Sequence, residues 1–135
     1  MSEQNKQLAR EGWKCIEEGR FDDLAKVYHP DVRYHGAGGD ERQGVEAMIE
    51  LGRMYKTAFP DMKTPVEHLV AEGDYVVSRV NPSGTHKAEL MGIPPTGKTI
   101  DIKWVMSMVR IQDGKIVEEW EVFDSGDLMR QLGVV

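Results

Sequence analysis

Cysteine is nearly missing from this chain of 135 residues, and the single Cys15 excludes an internal disulfide and any cysteine-built metal cluster. No apolar run approaches the ~20 residues that cross a bilayer. The amino terminus, "MSEQNKQLAREGW", lacks the apolar core of a secretory signal. The expectation is a cytoplasmic protein that makes no membrane contact. Clusters of positive charge are also missing. The 17 basic residues are scattered among 23 acidic ones for a net charge of -6, which argues against nucleic acid as a partner. The four histidines, His29, His35, His68 and His86, show no metal-ligand spacing, so no metal is expected. "PPTGKT" lacks the opening glycine and the following helix of a phosphate loop. Repeats, low-complexity tracts and linkers are absent, leaving one domain over residues 1–135.

What is present is a change of period along the chain. Leu8, Gly12, Cys15 and Ile16 recur at helical spacing. "RFDDLAKVYHP" predicts a second short helix with Phe21, Leu24, Ala25 and Tyr28 on one face and Pro30 ending it. "DVRYHG" is a short strand and "AGGDER" a loop. "GVEAMIELGRMYKTAF" gives the clearest helix, with Met48, Leu51, Gly52, Tyr55, Ala58 and Phe59 in phase. From Thr64 the period drops to two. "PVEHLVAEGDYVVSRV" predicts two strands about Gly73-Asp74, "GTHKAELMG" an extended segment and "IPPTGK" a loop. "TIDIKWVMSMVRI" and "KIVEEWEVF" predict two long strands joined at Asp113-Gly114, a strong hairpin signal. "DLMRQLG" predicts a last helix. Helices first and antiparallel strands after them argue for an α+β fold, a strongly twisted sheet curved around a long helix with a pocket between.

Two blocks, "GTHKAELMGIPPTGKTIDI" (84–102) and "RIQDGKIVEEWEVFD" (110–124), with "FDDLAKVYHPDV" and the helix after "RQGVEAM", resemble the SnoaL-like polyketide cyclase family. The likeness covers nearly the whole chain. It implies a cone-shaped, cystatin-like α+β barrel of the nuclear-transport-factor-2-like superfamily. It also implies a small enzyme that closes a ring by intramolecular aldol chemistry on an apolar, carbonyl-bearing ligand, with neither metal nor organic cofactor. The same scaffold carries isomerases, hydrolases, lyases and plain binding modules, so a non-catalytic binding domain is the alternative.

Aldol chemistry needs a base beside a carbonyl and a donor for the enolate oxygen. The resemblance places the acid/base at the end of the last long strand, at Asp124. The residues themselves also allow Asp124 to cap the helix after it, with Asp127 three residues on. Alternation puts Trp120, Val122 and Asp124 on one face of their strand. Without a bulge, Ser107, Val105 and Lys103 would stand opposite them. His86 is the second catalytic candidate, as donor or proton partner, its alternative being a half-exposed strand histidine. Trp120, His35 and Arg79 are candidates for binding substrate. Tyr55 and Trp104 belong in the core or in the pocket wall. An outer sheet face bearing Trp104, Met106, Met108 and Phe123 predicts a homodimer.

Overall fold

The computed structural model describes residues 2–135. Helix α1 (Ser2–Glu18) is followed by a 3-10 turn at Phe21–Lys26 and strand β1 (Tyr28–His35). A second short 3-10 turn and the three-residue strand β2 (Glu41–Gln43) lead into α2 (Val45–Ala58). Then come β3 (Val66–Glu72), β4 (Tyr75–Val80), β5 (Ser83–Thr85), β6 (Thr99–Asp101), β7 (Val105–Gln112), β8 (Lys115–Val122) and α3 (Ser125–Leu132).

Six strands form one curved sheet in the order β2-β1-β8-β7-β4-β3, and β5 pairs with β6 in a separate ribbon. The expected α+β architecture is present, but the loop "AGGDER" runs into β2, the strand expected over 99–111 is broken between β6 and β7, and two further differences stand out. The sheet is mixed, because β1 lies parallel to β8. Tyr28 opens a strand instead of closing a helix. Pro30 sits where the β1–β8 register jumps between Tyr28 and Arg33, so its missing N–H removes no ladder bond. Asp113 and Gly114 both take positive φ, 51° and 76°, the conformation that a tight hairpin turn requires.

The register of β8 is the decisive feature. Gln112 pairs with Lys115 and Ile111 with Ile116, but Arg110 pairs with Glu118, so Val117 is an extra residue. Such a bulge breaks the alternation for everything beyond it. Ile116 is buried, and strict alternation from it would turn Glu118, Trp120 and Val122 inward. The bulge instead turns Glu119, Glu121 and Phe123 inward. Ser107 therefore opposes Glu121, where an unbulged hairpin would set it against Trp120. Phe123, expected on the outer face, faces the interior.

The apolar interior has two parts. One gathers around Leu24, Val32, Val76 and Ile116 beneath α1 and α2, and the other around Phe59, Leu90, Ile102 and Leu132 at the α3 end. A cavity lies between them. Among the described residues no helix is long and apolar enough to cross a membrane.

Candidate active site

The cavity encloses about 110 Å³. Its wall is apolar over most of its extent, with contributions from α1, α2, the sheet and α3. Trp13, Pro82, Ser83 and Phe123 are wall residues that keep some solvent exposure. The polar groups gather on the inner face of the sheet. Ser78, Ser107 and Glu121 stand opposite one another across β4, β7 and β8. Glu119 stands opposite Tyr34 of β1.

These groups are bonded to one another. Tyr28 donates its hydroxyl to Glu119 Oε1 at 2.6 Å, and Ser107 donates to Glu119 Oε2 at 3.2 Å. Tyr34 donates to Glu121 Oε1 at 2.7 Å. Both oxygens of Glu119 are thus occupied, whereas among the described residues Glu121 is bonded through Oε1 alone. A buried carboxylate short of donors is held protonated, because desolvation penalises its charge. Burial raises Glu119 above the usual carboxylate range, against the lowering effect of its Tyr28 and Ser107 bonds. Burial, and then the charge of Glu119, push Glu121 up to about 8. Burial and the nearby carboxylates push Tyr55 up to about 12 and raise Tyr28 and Tyr34 as well, so all three hydroxyls stay protonated donors.

Of the candidates named from sequence, Tyr55 lines this cavity. The others lie outside its wall. Asp124 is exposed and caps α3, accepting the backbone N–H of Asp127 at 2.9 Å, with Arg130 3.6 Å from its other oxygen. His86 is fully buried but sits behind the wall. Its Nδ1 faces the hydroxyl and N–H of Thr96, at 3.1 and 3.2 Å, and its ring lies against Phe59. Trp120 points outward because of the bulge and stacks on His35 with ring centres 5.5 Å apart. His35 is outward because its neighbour Tyr34 is inward, and it bridges Glu41 and Glu118 at 2.7 Å each. Arg79 alternates with the inward Ser78 and Val80, so it contacts His68 at 2.9 Å on the outer face. Trp104 precedes β7 and is 51% exposed. The sequence reading missed Glu119, Glu121, Tyr28, Ser78 and Ser107 as site residues. The available signal was the pair of glutamates two apart, in phase with Phe123. Among the described residues no three His, Cys, Asp or Glu side chains converge as metal ligands would.

A curved sheet closed over helices around an acid-lined cavity is the nuclear-transport-factor-2-like barrel. The family model for SnoaL-like polyketide cyclase matches residues 6–132, and the chain belongs to that family. None of the curated proteins matches this sequence. Among solved structures, IdmH of Streptomyces antibioticus, a candidate polyketide cyclase, is 31% identical. Its TM-score is 0.83, with 97% of this chain and 99% of that one covered. TsrD of Streptomyces laurentii is 27% identical at a TM-score of 0.90, covering 100% and 98%. AclR of Streptomyces galilaeus, a candidate hydroxylase, is 28% identical at a TM-score of 0.87, covering 100% and 99%. Two different activities are thus named on closely similar folds, and the chemistry has to be argued from the cavity.

Proposed function

We propose that this protein is a cyclase-type acid/base enzyme acting on an apolar, carbonyl-bearing ligand, with Glu121 as the group that moves the proton. The observation that carries this reading is a carboxyl with one unpartnered oxygen in an apolar cavity wall, its pKa pushed up to about 8. A base of that strength can take a proton next to a carbonyl near neutral pH. Glu119, saturated by Tyr28 and Ser107, sets the electrostatics of its neighbour instead of exchanging protons. Tyr34 fixes the orientation of Glu121. The hydroxyls of Tyr55 and Ser78, also in the wall, are the candidate donors to an enolate oxygen. Proton transfer of this kind needs neither metal nor organic cofactor.

The test is turnover of single-ring carbonyl substrates by wild type and Glu121→Gln. A fall of ~10²–10⁴ is expected for loss of a general base. Unchanged turnover in the variant would falsify the assignment. The rival reading is a non-catalytic binding domain, favoured by the closed hydrogen bonding of Glu119. It predicts ligand binding with no turnover in either protein.

We further infer a homodimer through the outer sheet face. Val70, Val77, Met108 and Trp120 stand opposite one another across four strands there, beside Met106 and Val122. Val70 and Val122 are 66% and 58% exposed, which supports an apolar surface needing cover. Sedimentation should give a dimer at micromolar concentration that Val122→Lys dissociates. A monomeric wild type would end this inference.

A further inference from the structure

The ionisable groups of the cavity wall are all acidic, with no basic side chain among them. No Lys, Arg or His lines it, and its ionisable side chains are two glutamates and three tyrosines. The partners of Glu119 and Glu121 are hydroxyls, which bring no counter-charge to either carboxyl. Arg42, close enough to influence Tyr55, is engaged with Asp40 at 3.0 Å. Six aromatic rings, those of Trp13, Tyr28, Tyr34, Tyr55, Phe59 and Phe123, line the same space. Ring faces attract cations, most strongly where water is excluded. A carboxylate or phosphate ligand would meet no counter-charge, and its own charge would oppose ionisation of Glu121.

Within the polar row of the sheet, two hydrogen-bonding positions stay open. One is Oε2 of Glu121. The other is the hydroxyl of Ser78, which is 2% exposed, lies in the wall and has no protein partner among the described residues. Both belong to the polar row that crosses β4, β7 and β8.

We propose that this cavity takes a lipophilic ligand bearing a protonated amine, whose N–H groups reach Glu121 and Ser78 while its apolar body fills the aromatic wall. This shares its cavity with the proposed enzyme function but rests on charge, not on catalysis. A volume of about 110 Å³, partly open to solvent, is of the same order as the ~150 Å³ dry cavity that holds benzene, so the apolar body is no larger than a single ring or a short branched chain.

The experiment is isothermal titration of the whole chain at pH 7.5 with three probes of one shape: benzylamine, benzyl alcohol and benzoate. Benzylamine is expected to bind at least about tenfold more tightly than benzyl alcohol, a coupling of ~1.4 kcal/mol, and benzoate not at all. In Glu121→Gln, benzylamine falls to the level of the alcohol while the alcohol is unchanged. Glu118→Gln, on the outer face, keeps the preference. An ammonium beside Glu121 favours its charged form, so benzylamine binding releases a proton, read from two buffers of different ionisation enthalpy. The titratable groups around Glu121 are Glu119, Tyr28, Tyr34 and Tyr55, with Asp40 beyond them. Its affinity therefore rises with pH through the titration of Glu121 while the amine stays charged.

Equal affinity for alcohol and amine, tighter binding of benzoate, no binding by any probe, or a preference that survives Glu121→Gln overturns the proposal. If that variant does not fold, the affinity order and proton release of wild type decide. A raised Glu121 pKa, measured by carboxyl-carbon NMR, with no amine preference overturns this inference and leaves the acid/base reading standing.

Discussion

The two faces of β8 hold carboxyl groups one residue apart and treat them in opposite ways. Glu118, on the outer face, meets His35 at 2.7 Å and Arg110 at 3.3 Å, and these partners lower its pKa. Glu119 and Glu121, on the inner face, meet hydroxyls and apolar side chains, and burial raises both. The side chains are chemically identical. What differs is the number of compensating charges within reach, and this decides whether a glutamate is a fixed ion or a proton carrier.

The sharpest way to break the contrast is by substitution on each face. Glu121→Gln should remove turnover by the ~10²–10⁴ of a general base, whereas Glu118→Gln should change it little. Equal effects from the two variants would show that the inner face has no special role.

The pH dependence of stability should also divide by face. Glu121 is ionised above ~4.3 when unfolded but stays protonated to about 8 when folded. Its contribution is full below the lower value and is lost as pH rises towards the upper one, on the order of 5 kcal/mol. Glu121→Gln should flatten urea-derived stability over that window. The outer pair behaves otherwise. Glu118, lowered in the fold, contributes above its unfolded pKa and loses this as pH falls through the folded one. His35, raised chiefly by Glu118 and also by Glu41, contributes below its unfolded pKa and loses this as pH rises through the folded one. His35→Gln should therefore cost most between the unfolded values of the two groups, ~4.3 and ~6.5. A pH-independent cost would show that the bridge carries no charge-dependent stability.

Tyr34→Phe tests the inner face more gently. It removes a donor from Glu121 and should cost about 1–3 kcal/mol while raising the carboxyl pKa further. An unchanged pKa would mean that Tyr34 does not bond the carboxylate. Asp124→Ala should show the smallest effect, ~1 kcal/mol of stability from the lost cap, with turnover unaltered. A large loss of turnover there would return Asp124 to the site.

Much of the fold was legible because its signals are local and repeated. The period of Met48, Leu51, Tyr55 and Phe59 announces α2, and Asp113-Gly114 announces the β7–β8 hairpin. Strand β2 was not legible because three residues carry no periodicity. Tyr28 continued the helical spacing of Leu24 and Ala25, and only its distant bond to Glu119, 91 residues away, gives a reason for the strand. The site failed at a single point. Nothing in "GKIVEEW" marks Val117 as the extra residue, and a glutamate in a strand is ordinarily read as facing water. Strict alternation set Trp120 and Val122 on the face of Asp124, the residue that the resemblance had placed at the site, and the bulge turns that row outward.

That extra residue works like a shift of reading frame. Every letter after it keeps its identity and changes its meaning, and because β1 lies alongside, the tyrosine that answers Glu121 is read in the same frame. Chemistry in this strand is therefore specified by a count, the number of residues between the Gly114 turn and the glutamates. A relative that kept every side chain but inserted one residue between Glu118 and Glu119 would present a different row to its ligand. Its length at that point would say more about its activity than its identity would.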